Sequence, residues 1–119
     1  MLIVSPMPGT ERLLFEGRVA VLVSPGYGSG WSTWAKQANR EAMLFDAQIA
    51  DVMLDHTLTR EQRLAQARTL AELKYPGEHL GGLDALEVAL IDPDARFVIN
   101  EVDGYESITL AKDMEWIQA

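Results

Sequence analysis

Arg18-Val19-Ala20-Val21-Leu22-Val23, closed by Ser24-Pro25, is a six-residue run rich in β-branched side chains between Gly17 and a proline turn. A continuous apolar run of this length is the signature of a buried strand. The chain then enters Gly26-Tyr27-Gly28-Ser29-Gly30-Trp31-Ser32-Thr33-Trp34, a loop of alternate glycines carrying three aromatic rings and three hydroxyls.

Upstream, Arg12-Leu13-Leu14-Phe15 reads as a further strand or a covering segment, and Pro6, Pro8 and Gly9 break regular structure. Downstream, Ala35 to Leu44 has helical residues without a clean apolar stripe. Asp46 suits the N-cap of a short helix that turns Ile49, Val52 and Met53 inward. Thr59-Arg60-Glu61-Gln62 has capping-box spacing and opens a helix with Leu64, Ala67, Leu70 and Ala71 on one face, ended by Tyr75-Pro76-Gly77. Leu86 to Ile91, Arg96 to Val102 and Tyr105 to Leu110 read as strands. Asp103-Gly104 between the last two suits a type I′ turn, which needs positive φ at both central residues. A two-residue turn pairs Val102 with Tyr105, Ile99 with Ile108, Phe97 with Leu110, and sets Glu101 opposite Glu106, a like-charge pair that costs stability unless offset. The fold class is α/β in the α+β sense: one domain over residues 1–119, with a small mixed or antiparallel sheet, a C-terminal β-hairpin and two or three packed helices.

The 119 residues carry 18 acidic and 10 basic side chains, a formal net charge of −8. That charge repels a phosphate backbone and argues against duplex DNA or RNA as a partner. With no cysteine there is no disulfide, thiolate metal site or Cys nucleophile. The apolar start Met1 to Val4 is too short for a signal segment and no run reaches membrane-spanning length, so a soluble cytoplasmic protein is expected.

The glycine loop carries the functional reading. Gly26, Gly28 and Gly30 let the backbone approach a ligand, and several N–H groups can converge on one anion. Ser29, Ser32 and Thr33 add donors suited to phosphate, Tyr27, Trp31 and Trp34 offer faces for base stacking, and Lys36 and Arg40 follow with positive charge. The spacing matches neither the dinucleotide fingerprint nor the Walker loop. The competing reading is a tight strand-to-helix corner with the tryptophans plugging the core beneath it. Other constellations are thinner. His56 and His79 lack metal-ligand spacing and read as surface residues; Asp46, Asp51 and Asp55 read as a solvated helix face; no Gly-x-Ser-x-Gly elbow is present. Glu101 and Glu106 suit either paired acid/base carboxylates or an exposed hairpin tip. Leu80-Gly81-Gly82-Leu83 permits close approach of a backbone or ligand.

The run Val21 to Trp34, with Leu80-Gly81-Gly82-Leu83 and Val102-Asp103-Gly104-Tyr105-Glu106-Ser107, resembles a group of small phage and prophage proteins that includes the phage anti-CBASS sponges. The resemblance covers most of the chain after Arg18, but not Lys36 to Leu58 or the tail after Leu110. It implies a homo-oligomer in the host cytoplasm that sequesters a small cyclic oligonucleotide without cleaving it; from the residues, no cofactor and no metal are expected. On that reading Pro25, Gly26, Tyr27, Gly28, Ser29, Gly30, Trp31, Ser32, Thr33, Trp34 and Lys36 hold phosphate and base, while Glu101, Asp103, Tyr105 and Glu106 meet base edges. The alternatives are a protein–protein inhibitor of a host defence enzyme, anchored by Trp31 and Trp34 and using acidity to mimic nucleic acid, and a nucleotide-degrading enzyme, for which no convincing nucleophile or base is visible.

Overall fold

A computed structural model describes residues 2–4, 12–28 and 30–113. The expected break at Pro6, Pro8 and Gly9, the loop residue Ser29 and the chain beyond Asp113 lie outside the described residues. The elements in chain order are β1 (Leu2–Val4), β2 (Leu14–Phe15), β3 (Arg18–Val23), α1 (Gln37–Leu44), α2 (Ala47–Met53), α3 (Arg60–Lys74), β4 (Glu87–Ile91), β5 (Phe97–Val102) and β6 (Tyr105–Leu110), with short 3-10 turns at Ser32–Trp34, Gly81–Ala85 and Ala111–Asp113. No helix among the described residues is long and apolar enough to cross a membrane.

The architecture is α+β, and the strands form two three-stranded antiparallel sheets, ordered β2-β3-β4 and β1-β5-β6. One sheet was expected from the sequence. The division follows from β3, which is covered on both faces. Ala20 and Leu22 pack into a core built with Trp31, Met43, Ile49, Ala67, Ala71 and Leu86, beneath the helices. Val19, Val21 and Val23 pack the opposite way, against Leu44, Phe45, Phe97 and Ile99. Successive strand side chains alternate between faces, so a strand between two apolar layers must be apolar at every position. The unbroken run Val19 to Val23 records that environment. β1, which the sequence reading left unassigned, pairs with β5 through Leu2 and Ile99, Ile3 and Val98, Val4 and Phe97.

Local signals act as expected. The Thr59 side chain accepts from the Gln62 amide at 3.1 Å and the Gln62 side chain accepts from the Thr59 amide at 2.9 Å, completing the capping box. Asp103 and Gly104 have φ of 49° and 85°, and the hairpin register sets Glu101 opposite Glu106 and Phe97 opposite Leu110.

Asp46 caps α2 by accepting from the Ile49 amide at 2.9 Å, and its other oxygen takes Lys74 Nζ at 2.8 Å and the Tyr75 hydroxyl. α2 and α3 are thereby tied through one buried carboxylate. Burial, then the hydrogen bond to Asp46 and its negative charge, push the Tyr75 hydroxyl well above the ordinary tyrosine range. The neutral phenol stabilises the fold fully below the unfolded tyrosine value of about 10, and that contribution is lost as pH rises from there toward the folded value. Thermal denaturation from about pH 9 to pH 12 is expected to show a steeper alkaline loss of stability in the native chain than in Tyr75→Phe. Parallel curves would refute the assignment.

Candidate functional site

Ser24, which follows β3, and Glu106, second residue of β6, tie the two sheets together. The Glu106 amide donates to the Ser24 carbonyl at 2.9 Å. In return the Ser24 amide donates to Glu106 Oε1 at 3.0 Å. Glu106 Oε2 then accepts from the Trp31 amide at 2.9 Å, the Thr33 amide at 3.0 Å and the Thr33 hydroxyl at 2.6 Å. The Glu106 side chain is fully buried. A carboxylate taken out of water is tolerated where charge-assisted hydrogen bonds replace its hydration, and four such donors converge here.

The loop is therefore an anion cradle, as its composition suggested, and the anion it holds is a side chain of its own chain. For Trp31 and Thr33 this corrects the expectation that the loop amides point toward a ligand. Thr33 is likewise committed to Glu106, while the Ser32 hydroxyl is buried and faces no partner among the described residues. Glu106 is no exposed hairpin-tip carboxylate. Its cross-strand neighbour Glu101 accepts the Trp34 indole N–H at 3.0 Å, so each member of the like-charge pair has donors of its own.

The two loop tryptophans have different fates. Trp31 is fully buried, with its indole N–H donated to the Met43 carbonyl at 2.8 Å; it plugs the helical core and does not serve as an exposed anchor. Trp34 is 40% exposed. Its ring lies directly on Gly30, where an added Cβ would collide with the indole, and Gly81 seats the ring of His79 in the same way, at 2.6 Å from an added Cβ. The Trp34 and His79 rings meet with centroids 5.3 Å apart. What approaches these glycine backbones is the protein's own aromatic residues. Ser24 Oγ donates to the Gly82 carbonyl at 2.8 Å, so the Leu80 to Leu83 segment joins the loop and hairpin at one junction.

Outside this bonded layer stand the remaining candidates. Tyr27 is strongly exposed, with its ring 5.0 Å from that of Tyr105. Pro25 and Gly26 are half-buried beneath it, Gly28 and Asp103 are exposed, and the Gly28 amide donates to the Asp103 carbonyl. Lys36 is exposed, and its backbone amide donates to Glu78 at 3.0 Å. Arg40 turns its Nε to the Ala35 carbonyl at 3.0 Å.

His79 is exposed, in line with its reading as a surface residue, and the glycine two residues on accommodates its ring beside Trp34. The acidic series does not assemble: Asp46 is buried in its own network, Asp51 is exposed, and Asp55 holds the Thr57 amide at 3.0 Å. His56 lies 3.4 Å from Arg63. Among the described residues no group of three or more His, Asp or Glu is placed to hold a metal ion. Comparison with protein-family models, curated proteins and solved structures returns no match.

Replacing Glu106 with Ala strands three backbone amides and a hydroxyl in the interior. Hydrogen bonds to charged groups contribute ~1.5–3 kcal/mol each, non-additively, so urea denaturation is expected to show a loss on the order of 3–5 kcal/mol. Trp31→Ala is expected to cost about 3–5 kcal/mol, as for other buried aromatic truncations, whereas Trp34→Ala stays near or below about 1.5 kcal/mol. Equal losses in the two Trp variants would contradict the division into a buried and a presented ring.

Proposed function

We propose that this chain works by capture without catalysis, holding a base-bearing nucleotide against the rings outside the Glu106 junction. The observation that carries this reading is Trp34: exposed, yet fixed by the Gly30 backbone behind it, the His79 ring beside it and the Glu101 carboxylate on its N–H. A ring already immobilised loses little freedom when a base stacks on it, which is the main cost of such a contact. Since the Trp31 and Thr33 amides serve Glu106, and those of Gly26 and Gly28 the Ser24 and Asp103 carbonyls, phosphate contact falls to exposed groups, with Lys36 the nearest cation in sequence. The resemblance to phage sponges supplies the ligand class, a cyclic oligonucleotide second messenger, and the setting, evasion of host immunity by a homo-oligomer in the host cytoplasm.

The absence of turnover is supported by what the carboxylates do. Glu106 has both oxygens committed to donors and Glu101 orients an indole, so the pair considered for acid/base work is used to build the site.

The test is a thermal-shift panel of cyclic di- and trinucleotides, followed by heat denaturation and chromatography of the released ligand. A raised melting temperature with intact nucleotide recovered is the expected outcome, and Trp34→Ala is expected to weaken binding by ~1–3 kcal/mol per stacked base. Altered product would make the chain an enzyme. No shift with any nucleotide would overturn the reading.

A further inference from the structure

The β5–β6 hairpin has a second presented surface, apart from the Trp34 platform, built from residues that the sequence reading gave to base contact. Strand alternation sends Val102 and Tyr105 to the face opposite Glu101 and Glu106. Val102 is 62% exposed, Tyr105 37% and Tyr27 73%, so three of the large exposed apolar side chains gather at one tip. The backbone beneath them is fixed by the type I′ turn, by the Gly28 amide on the Asp103 carbonyl and by the Glu106 amide on the Ser24 carbonyl. A rigid, exposed aromatic pair beside an aliphatic residue is the composition of an interaction hot spot.

Charge selects the occupant. Neither Pro25 to Gly28 nor Val102 to Tyr105 contains a lysine or arginine, the exposed carboxylate at the tip is Asp103, and the whole chain carries −8. Neither segment supplies a cation to offset the repulsion that an anionic ligand meets there, and a second copy docked tip to tip brings a second Asp103 to the contact. A guanidinium satisfies both features at once, stacking on a phenol face while its N–H fork takes a carboxylate. We infer that the hairpin tip, Tyr27 with Val102, Asp103 and Tyr105, is a docking surface for an arginine-bearing basic segment of another protein.

The experiment titrates hexa-arginine and hexalysine peptides into the isotope-labelled full chain and follows backbone amide shifts at two salt concentrations. Shifts concentrated at Tyr27, Gly28 and residues 102–105, tighter binding of the arginine peptide and weakening by salt are the expected results. Tyr27→Ala and Asp103→Asn are each expected to weaken hexa-arginine about three- to tenfold while the chain stays folded at the titration temperature, since Tyr27 lies at the surface and Asn tolerates the positive φ at position 103. Trp34→Ala is expected to leave peptide affinity unchanged, which separates this surface from the stacking platform. Shifts spread over other acidic faces, equal affinity for hexalysine, or affinity insensitive to both tip variants would overturn the inference. So would light scattering showing a dimer that Tyr27→Ala dissolves, because the surface would then belong to a second copy.

Discussion

Glu106 is the constraint on which the junction depends. It lies on β6, in the other sheet from β3, yet its carboxylate sits among amides of the loop that leaves β3. Strand end, loop and hairpin are joined by this one side chain and by the main-chain bond between Glu106 and Ser24. Burial of a charge is costly without compensation, so the loop must take the shape that brings its amides to the carboxylate, or the hairpin cannot dock. A glycine-rich segment that would otherwise sample many conformations is held in one.

The positions of the rings follow from that shape. With the amides of Trp31 and Thr33 fixed on Glu106, the Trp31 side chain turns into the helical core while Trp34, three residues on, lies across Gly30 at the surface. The bare Cα atoms of Gly30 and Gly81 act as seats for indole and imidazole, since any Cβ there would occupy the space of the ring. Rings supported in this way present their outer faces without the entropy cost of ordering on contact. The junction therefore has a bonded interior, where anion and donors satisfy each other, and an outer layer of held aromatic residues on which the functional proposals rest.

The same organisation explains how carboxylates accumulate beside a candidate ligand surface at tolerable cost. Glu106 is hydrogen-bonded within the loop, Glu101 holds an indole and Glu78 takes the Lys36 amide and the Asn39 side chain. Asp103 at the turn is the carboxylate that remains presented at the hairpin tip.

The sequence by itself determined what depends on neighbours along the chain or across a tight turn. The β3 run, the Thr59 capping box, the Asp46 cap and the Asp103-Gly104 turn with its register are short-range matters, fixed by side-chain period, by hydrogen-bond reach over three residues and by the φ demanded at two positions. The sequence also marked the three segments that meet at the junction, through their glycines and aromatic residues. Only the tertiary structure decided that the strands divide into two sheets, that the anion in the glycine loop is Glu106, and that Trp31 faces inward while Trp34 faces out. Each of those outcomes rests on a contact between residues far apart in the chain, such as Ser24 with Glu106 or Gly82. Loop composition announces a cradle for an anion without saying which carboxylate or phosphate fills it, because converging amides bind either, and the nearest in space is set by how the sheets pack.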